Sequence, residues 1–76
     1  SISKVTRGIL AAIPDGSSAT FVEIITRSNC PKSSVWRRLE ELCFLQVLRS
    51  EDSGGTSTYR FTEFFQELKT AALPVL

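Results

Sequence analysis

"CPKSSVWRRLEELC", residues 30–43, is the stretch whose reading decides the fold. Val35, Leu39 and Leu42 fall at i, i+4 and i+7 and predict one apolar helical face, with Cys43 and Gln46 continuing beside it. Pro31 suits the first turn of a helix, where a missing amide proton removes no intrahelical bond, and Asn29 suits the left-handed residue that ends the helix before it. The spacing predicts a helix from Pro31 to about Leu45, entered through a tight turn of three or four residues. Its opposite face carries Lys32, Ser33, Trp36, Arg37 and Glu40.

Upstream, Val5, Ile9, Ala12 and Ile13 line one face of a first helix, capped by Ser3 and ended by the turn Pro14-Asp15-Gly16. Thr20 and Glu23 form the capping-box pattern T-x-x-E and predict a second helix of two turns, from Phe21 to Ser28, with Ile24 and Ile25 inward. Ala19 and Thr20 are an alternative short strand before it.

Downstream the period changes to two. "QVLRSE" and "STYRFT" read as strands of a hairpin separated by "DSGG", with Tyr59 and Phe61 on one face and Thr58, Arg60 and Thr62 on the other. Thr62 caps a last helix, "EFFQELKTAAL", ended by Pro74. Its apolar residues exceed one stripe and suggest a second copy of the chain or a neighbouring domain against it.

The expected fold is mainly α with a small β-hairpin: a winged helix-turn-helix with a three-helix core, a two-stranded wing and an additional C-terminal helix. All 76 residues form one domain, near the lower limit for a self-sufficient core. The chain opens on Ser1 and not on Met, so it reads as a piece of a larger protein. No apolar run approaches the ~20 residues that cross a bilayer and the start lacks a secretory pattern, so the expected location is cytoplasmic, with no membrane partner.

Cofactor and metal are expected to be absent. The chain has no histidine, and Cys30 and Cys43 show no zinc-ligand spacing; both read as buried thiols. No glycine-rich phosphate loop or nucleophile-base arrangement appears, so the chain does not read as an enzyme.

Net charge is only +1, but its distribution is uneven: six basic residues face two acidic ones up to Arg38, and three face six after it. Such a split can present one basic face while the whole stays almost neutral. Because the basic cluster falls at the start of the helix that the topology marks as the reader, the expected partner is double-stranded DNA. Lys32, Ser33, Ser34, Trp36, Arg37 and Arg38 are the candidates for the major groove. Arg49 and Arg60 on the wing are candidates for backbone phosphates or an adjacent minor groove, with Thr56 and Thr58 as neutral donors; Thr20 at the second helix is a further phosphate candidate, and Glu51 and Asp52 near the wing tip repel phosphate. A solvated-face reading instead pairs Arg37 with Glu41 at i, i+4. A protein-docking module using Trp36, the wing or the last helix is the alternative class.

"PKSSVWRRL" and "YRFT" within residues 20–62 resemble the N-terminal winged helix-turn-helix of the IclR family of transcriptional regulators, over most of the chain. The resemblance implies a recognition helix starting at Pro31, Lys32, Ser33 and Ser34, with Arg37 toward the groove. It also implies an effector-binding domain after Leu76 and a dimer that spaces two recognition helices about one DNA turn apart. Four positions depart from the family pattern: Trp36 replaces the usual histidine, Arg38 a leucine, Gln46 the glycine that ends the helix, and Val22 a hydroxyl residue. The alternative context is an accessory domain of a replication or recombination protein, binding DNA or a protein.

Overall fold

The computed structural model describes residues 3–72. Ser3 opens α1 (Lys4–Ala12) by accepting the Thr6 amide at 3.2 Å. At Gly8 a Cβ would come within 3.1 Å of the Ser28 Cβ, so the missing side chain is what allows α1 to lie this close to the next helix. That helix, α2 (Phe21–Ser28), starts at the expected capping box. The Glu23 amide donates to Thr20 Oγ1 at 3.1 Å, and the Thr20 amide donates to Glu23 Oε1 at 2.8 Å. It ends at Asn29, in the left-handed region with φ 55° and its amide donating to the Ile25 carbonyl at 3.0 Å.

Three residues separate α2 from α3 (Lys32–Phe44), with Pro31 just outside as its N-cap. Val35, Leu39 and Leu42 are buried, as their spacing requires. The helix ends on Leu45, one residue beyond its last turn, and Gln46 follows with φ 62°. The Gln46 amide donates to the Cys43 carbonyl at 3.0 Å and the Val47 amide to the Leu42 carbonyl at 2.9 Å. Those are the two bonds of a Schellman ending, so glutamine takes the left-handed position where glycine is expected. A left-handed residue with a Cβ costs roughly 1–2 kcal/mol, which the two bonds and the packing of Val47 offset.

The expected two-stranded wing forms, and the alternative short strand before α2 joins it. β1 (Ser18–Thr20), β2 (Leu48–Ser53) and β3 (Thr56–Phe61) form one antiparallel sheet in the order β1-β3-β2. The short run before α2 is therefore a strand, because it supplies the partner for the free edge of β3. The hairpin loop is also shorter than "DSGG". Asp52 and Ser53 pair with Ser57 and Thr56, leaving only Gly54 and Gly55 in the turn, with φ 59° and 83°. Two successive positive φ values make it a two-residue turn of the I′ kind, whose twist matches that of the strands.

Directly opposed residues share a face of the sheet. Ala19, Tyr59, Leu48 and Phe61 face the helices and join Ile9, Ala12, Ile13, Ile24 and the α3 stripe in one core. Burying each large aliphatic side chain contributes ~1.5–3 kcal/mol. Cys30 is buried in this core, whereas Cys43 is only half-buried, short of the expectation; both are free thiols. Burial still pushes the Cys43 thiol above its ordinary range.

Thr62 links the end of α3 to α4 (Glu63–Ala72): its hydroxyl donates to the Gln46 carbonyl and accepts the Phe65 amide at 3.1 Å. Phe65 stacks on Phe61 with centroids 5.4 Å apart, and Lys69 lies over both rings while pairing with Asp15 at 3.5 Å. Phe64 and Leu68 remain about half exposed. The expected stop at Pro74 lies outside the described residues. Among the described residues, no helix is long and apolar enough to cross a membrane.

Candidate nucleic-acid interface

The face of α3 opposite the core is set by the same period that buries Val35, Leu39 and Leu42. Lys32, Ser33, Trp36 and Arg37 are exposed in its first two turns, and Ser34 and Arg38 are half-buried beside them. The start of the helix carries no side-chain cap, so its first amides point outward without an internal acceptor. Cationic side chains stand near uncapped amides there, an arrangement suited to anions.

The two adjacent arginines differ. Arg38 donates to Glu41 Oε2 at 3.0 Å, an i, i+3 pair, and this occupies the carboxylate that the i, i+4 reading assigned to Arg37. That alternative pair is not formed. Among the described residues, Arg37 and Lys32 take part in no ion pair. Arg27, another of the basic residues in the first half, is engaged in structure. Its guanidinium donates to the Ala12 carbonyl at the end of α1 at 3.0 Å and pairs with Glu23 at 3.4 Å. Together with the Thr20 amide, the main cause, Arg27 holds the Glu23 carboxyl below its ordinary value.

Trp36 is held by α2. Its ring meets Phe21 edge to face, with centroids 5.9 Å apart and planes at 86°, and half of the residue remains exposed. Phe21, Val22 and Trp36 on one side and Gly55, Thr56 and Ser57 on the other border a cleft of about 370 Å³ between the helix-turn-helix and the wing turn. Val22 is 69% exposed at its mouth. On the core side of the wing, Ser57 donates to Asp52 at 2.7 Å. Burial first, and then the neighbouring Cys43, Asp52 and Glu40, raise the Tyr59 hydroxyl above its ordinary range.

The remaining candidates lie on the sheet, and of these Thr20 also lines the cleft beside Trp36. Arg49 pairs with Arg60 across the hairpin and Thr20 with Thr58 across the β1–β3 ladder, all on the sheet face turned away from the core. Ten of the sequence candidates therefore form two groups: six on α3 and four on the outer face of the sheet. Thr20 is already engaged, since its hydroxyl caps α2.

The exposed α3 strip also has an apolar end that lies outside the sequence candidates. Phe44 is 86% and Leu45 61% exposed, bordering a shallow depression with Arg37, Glu40 and Glu41. The signal was present, since Trp36, Glu40 and Phe44 repeat every four residues on the face opposite the core stripe.

No protein-family model matches the chain, and no curated protein matches it. Among solved structures, it is similar to Bordetella bronchiseptica BpsR, with a TM-score of 0.76 and 15% sequence identity over 96% of this chain and 54% of that one. This likeness shows the fold. The chain is a winged helix. It spans about half the length of the BpsR chain, whose DNA binding is described as regulated by 6-hydroxynicotinic acid.

Proposed function

We propose that this winged helix binds double-stranded DNA sequence-specifically, with the first two turns of α3 in the major groove, as the DNA-binding domain of a transcriptional regulator. One observation carries the reading: the second helix of the helix-turn-helix presents Lys32, Ser33 and Arg37 exposed, free of ion pairs among the described residues, beside uncapped amides. Arg37 donates to base-edge acceptors, Lys32 and the amides meet phosphate, and Ser33 and Ser34 supply short donors. Arg38, tied to Glu41, sits at the margin of this contact.

The wing contributes through its flank and not its tip. Like charges directly opposed across strands destabilise a sheet, and a phosphate between Arg49 and Arg60 offsets that repulsion, with Thr58 as a neutral donor. Glu51 and Asp52 keep the turn itself away from the backbone. The resemblance at "PKSSVWRRL" and "YRFT", and the BpsR-like fold, support a regulator over an accessory domain of a replication or recombination protein. On this reading catalysis is not part of the chain's work. Phe64 and Leu68, exposed one turn apart on α4, receive a second copy or the adjoining domain.

A protein-docking reading has its own observation, the exposed Phe44 and Leu45. A titration of a labelled random-sequence duplex at low and high salt separates the two. Phosphate contacts release counterions, so affinity falls steeply with salt under the DNA reading. Absence of duplex binding at low salt leaves the docking reading in its place.

A further inference from the structure

We infer that Trp36 reads the 5-methyl group of thymine, which makes the indole a specificity determinant in addition to the polar side chains around it. This rests on the DNA reading proposed above. Trp36 stands on the exposed strip between Ser33 and Arg37, in the part of α3 that reading puts in the groove. The indole offers one donor and two apolar faces, so most of its surface gains nothing from the polar edges of bases. In the major groove the apolar feature of the four bases is the thymine C5-methyl.

The ring is also prepared for such a contact. Its edge-to-face packing on Phe21 holds it in place, so little side-chain freedom remains to be lost on binding. Half of the residue is nevertheless exposed, and Val22, 69% exposed, lies along the same cleft. An apolar patch of this kind excludes water from a methyl group placed against it, while Arg37 one residue on can reach a neighbouring guanine.

The test uses the chain itself and two forms of one DNA pool. Random duplexes are selected by binding at low salt, then amplified with either thymidine or deoxyuridine triphosphate, which differ only by the methyl group. The expected result is that the thymine pool binds about three- to fivefold more tightly per contacted base, the value of burying one methyl. In Trp36→Ala, shown to be folded by its thermal transition, that ratio falls to about one, whereas Arg37→Ala weakens both pools and keeps the ratio.

Equal binding of the two pools by the unsubstituted chain overturns the inference and leaves the DNA reading standing. A ratio that survives Trp36→Ala places methyl recognition on another residue and overturns it as well. If no duplex is retained at low salt, the DNA reading itself fails, and this inference with it.

Discussion

The two helices of the helix-turn-helix begin in opposite ways. α2 starts closed: Thr20 and Glu23 satisfy each other's amides, and Arg27 joins Glu23 to the end of α1. α3 starts open, with proline at its cap position and no side chain turned back on its first turn. Polar residues at the first helix are bonded within the fold, whereas Lys32, Ser33 and Arg37 at the second make no side-chain hydrogen bond or ion pair among the described residues. Both starts contain hydroxyl side chains, but they differ in charge, with Glu23 in the first turn of α2 and Lys32 in that of α3, and in hydrogen-bond partners.

The largest expected effect comes from the buried side of α3, which both readings of its outer face share. Leu39→Ala removes a fully buried side chain and lowers stability by ~2–5 kcal/mol, measured by urea denaturation. A loss well under 1 kcal/mol breaks the assignment of that face to the core. On the open side, Arg37→Ala lowers duplex affinity by ~1–3 kcal/mol, roughly 5- to 150-fold, with the thermal transition unchanged. Equal affinity removes α3 from the reading role.

The closed start responds the other way. Thr20→Ala lowers stability by ~1 kcal/mol through loss of the cap. Unchanged duplex affinity confines the Thr20 hydroxyl to that cap, and reduced affinity adds the phosphate contact. Its partner gives a pH signature. The folded-state Glu23 carboxyl lies below its ordinary value of 4.5, so its contribution is fully present above that value and is lost as pH falls through the lowered one. Wild type is therefore more stable than Glu23→Gln near neutrality, and the two converge in acid; denaturation midpoints across that range measure the convergence. The smallest expected change is a gain: Gln46→Gly relieves the left-handed backbone and adds unfolded-state freedom, for a net ~0.5 kcal/mol in stability.

Local signals made most of the fold legible. Ser3, the Thr20-Glu23 box, Asn29 with Pro31, and the Val35-Leu39-Leu42 stripe each act within a few residues, and the helix boundaries follow them closely. What escaped depends on distant partners. β1, open as an alternative in the sequence, is decided by the edge that β3 offers it, and the strands reach Ser53 and Thr56 because the two glycines alone complete the turn. Glu41 had two arginines within helical reach, and only packing in three dimensions determines which one it takes.

The candidate site was legible as chemistry more than as geometry. The exposed groups of α3 could be named from its period, and alternation placed Arg60 and Thr58 together. That Arg49, Arg60 and Thr58 share the outer sheet face with Thr20, which also borders the cleft of Trp36, depends on which side of the sheet the helices cover. Phe44 falls outside the Val35-Leu39-Leu42 stripe, and only the absence of a covering element among the described residues leaves it exposed.

The most direct test of the open-helix account is amide chemical-shift mapping during titration with a selected duplex at low salt. The account predicts that the largest changes fall on Lys32–Arg37, with smaller ones near Arg49 and Arg60 and almost none on Glu63–Lys69. Changes centred on Phe44 and Leu45 or on α4, with residues 32–37 unmoved, contradict it.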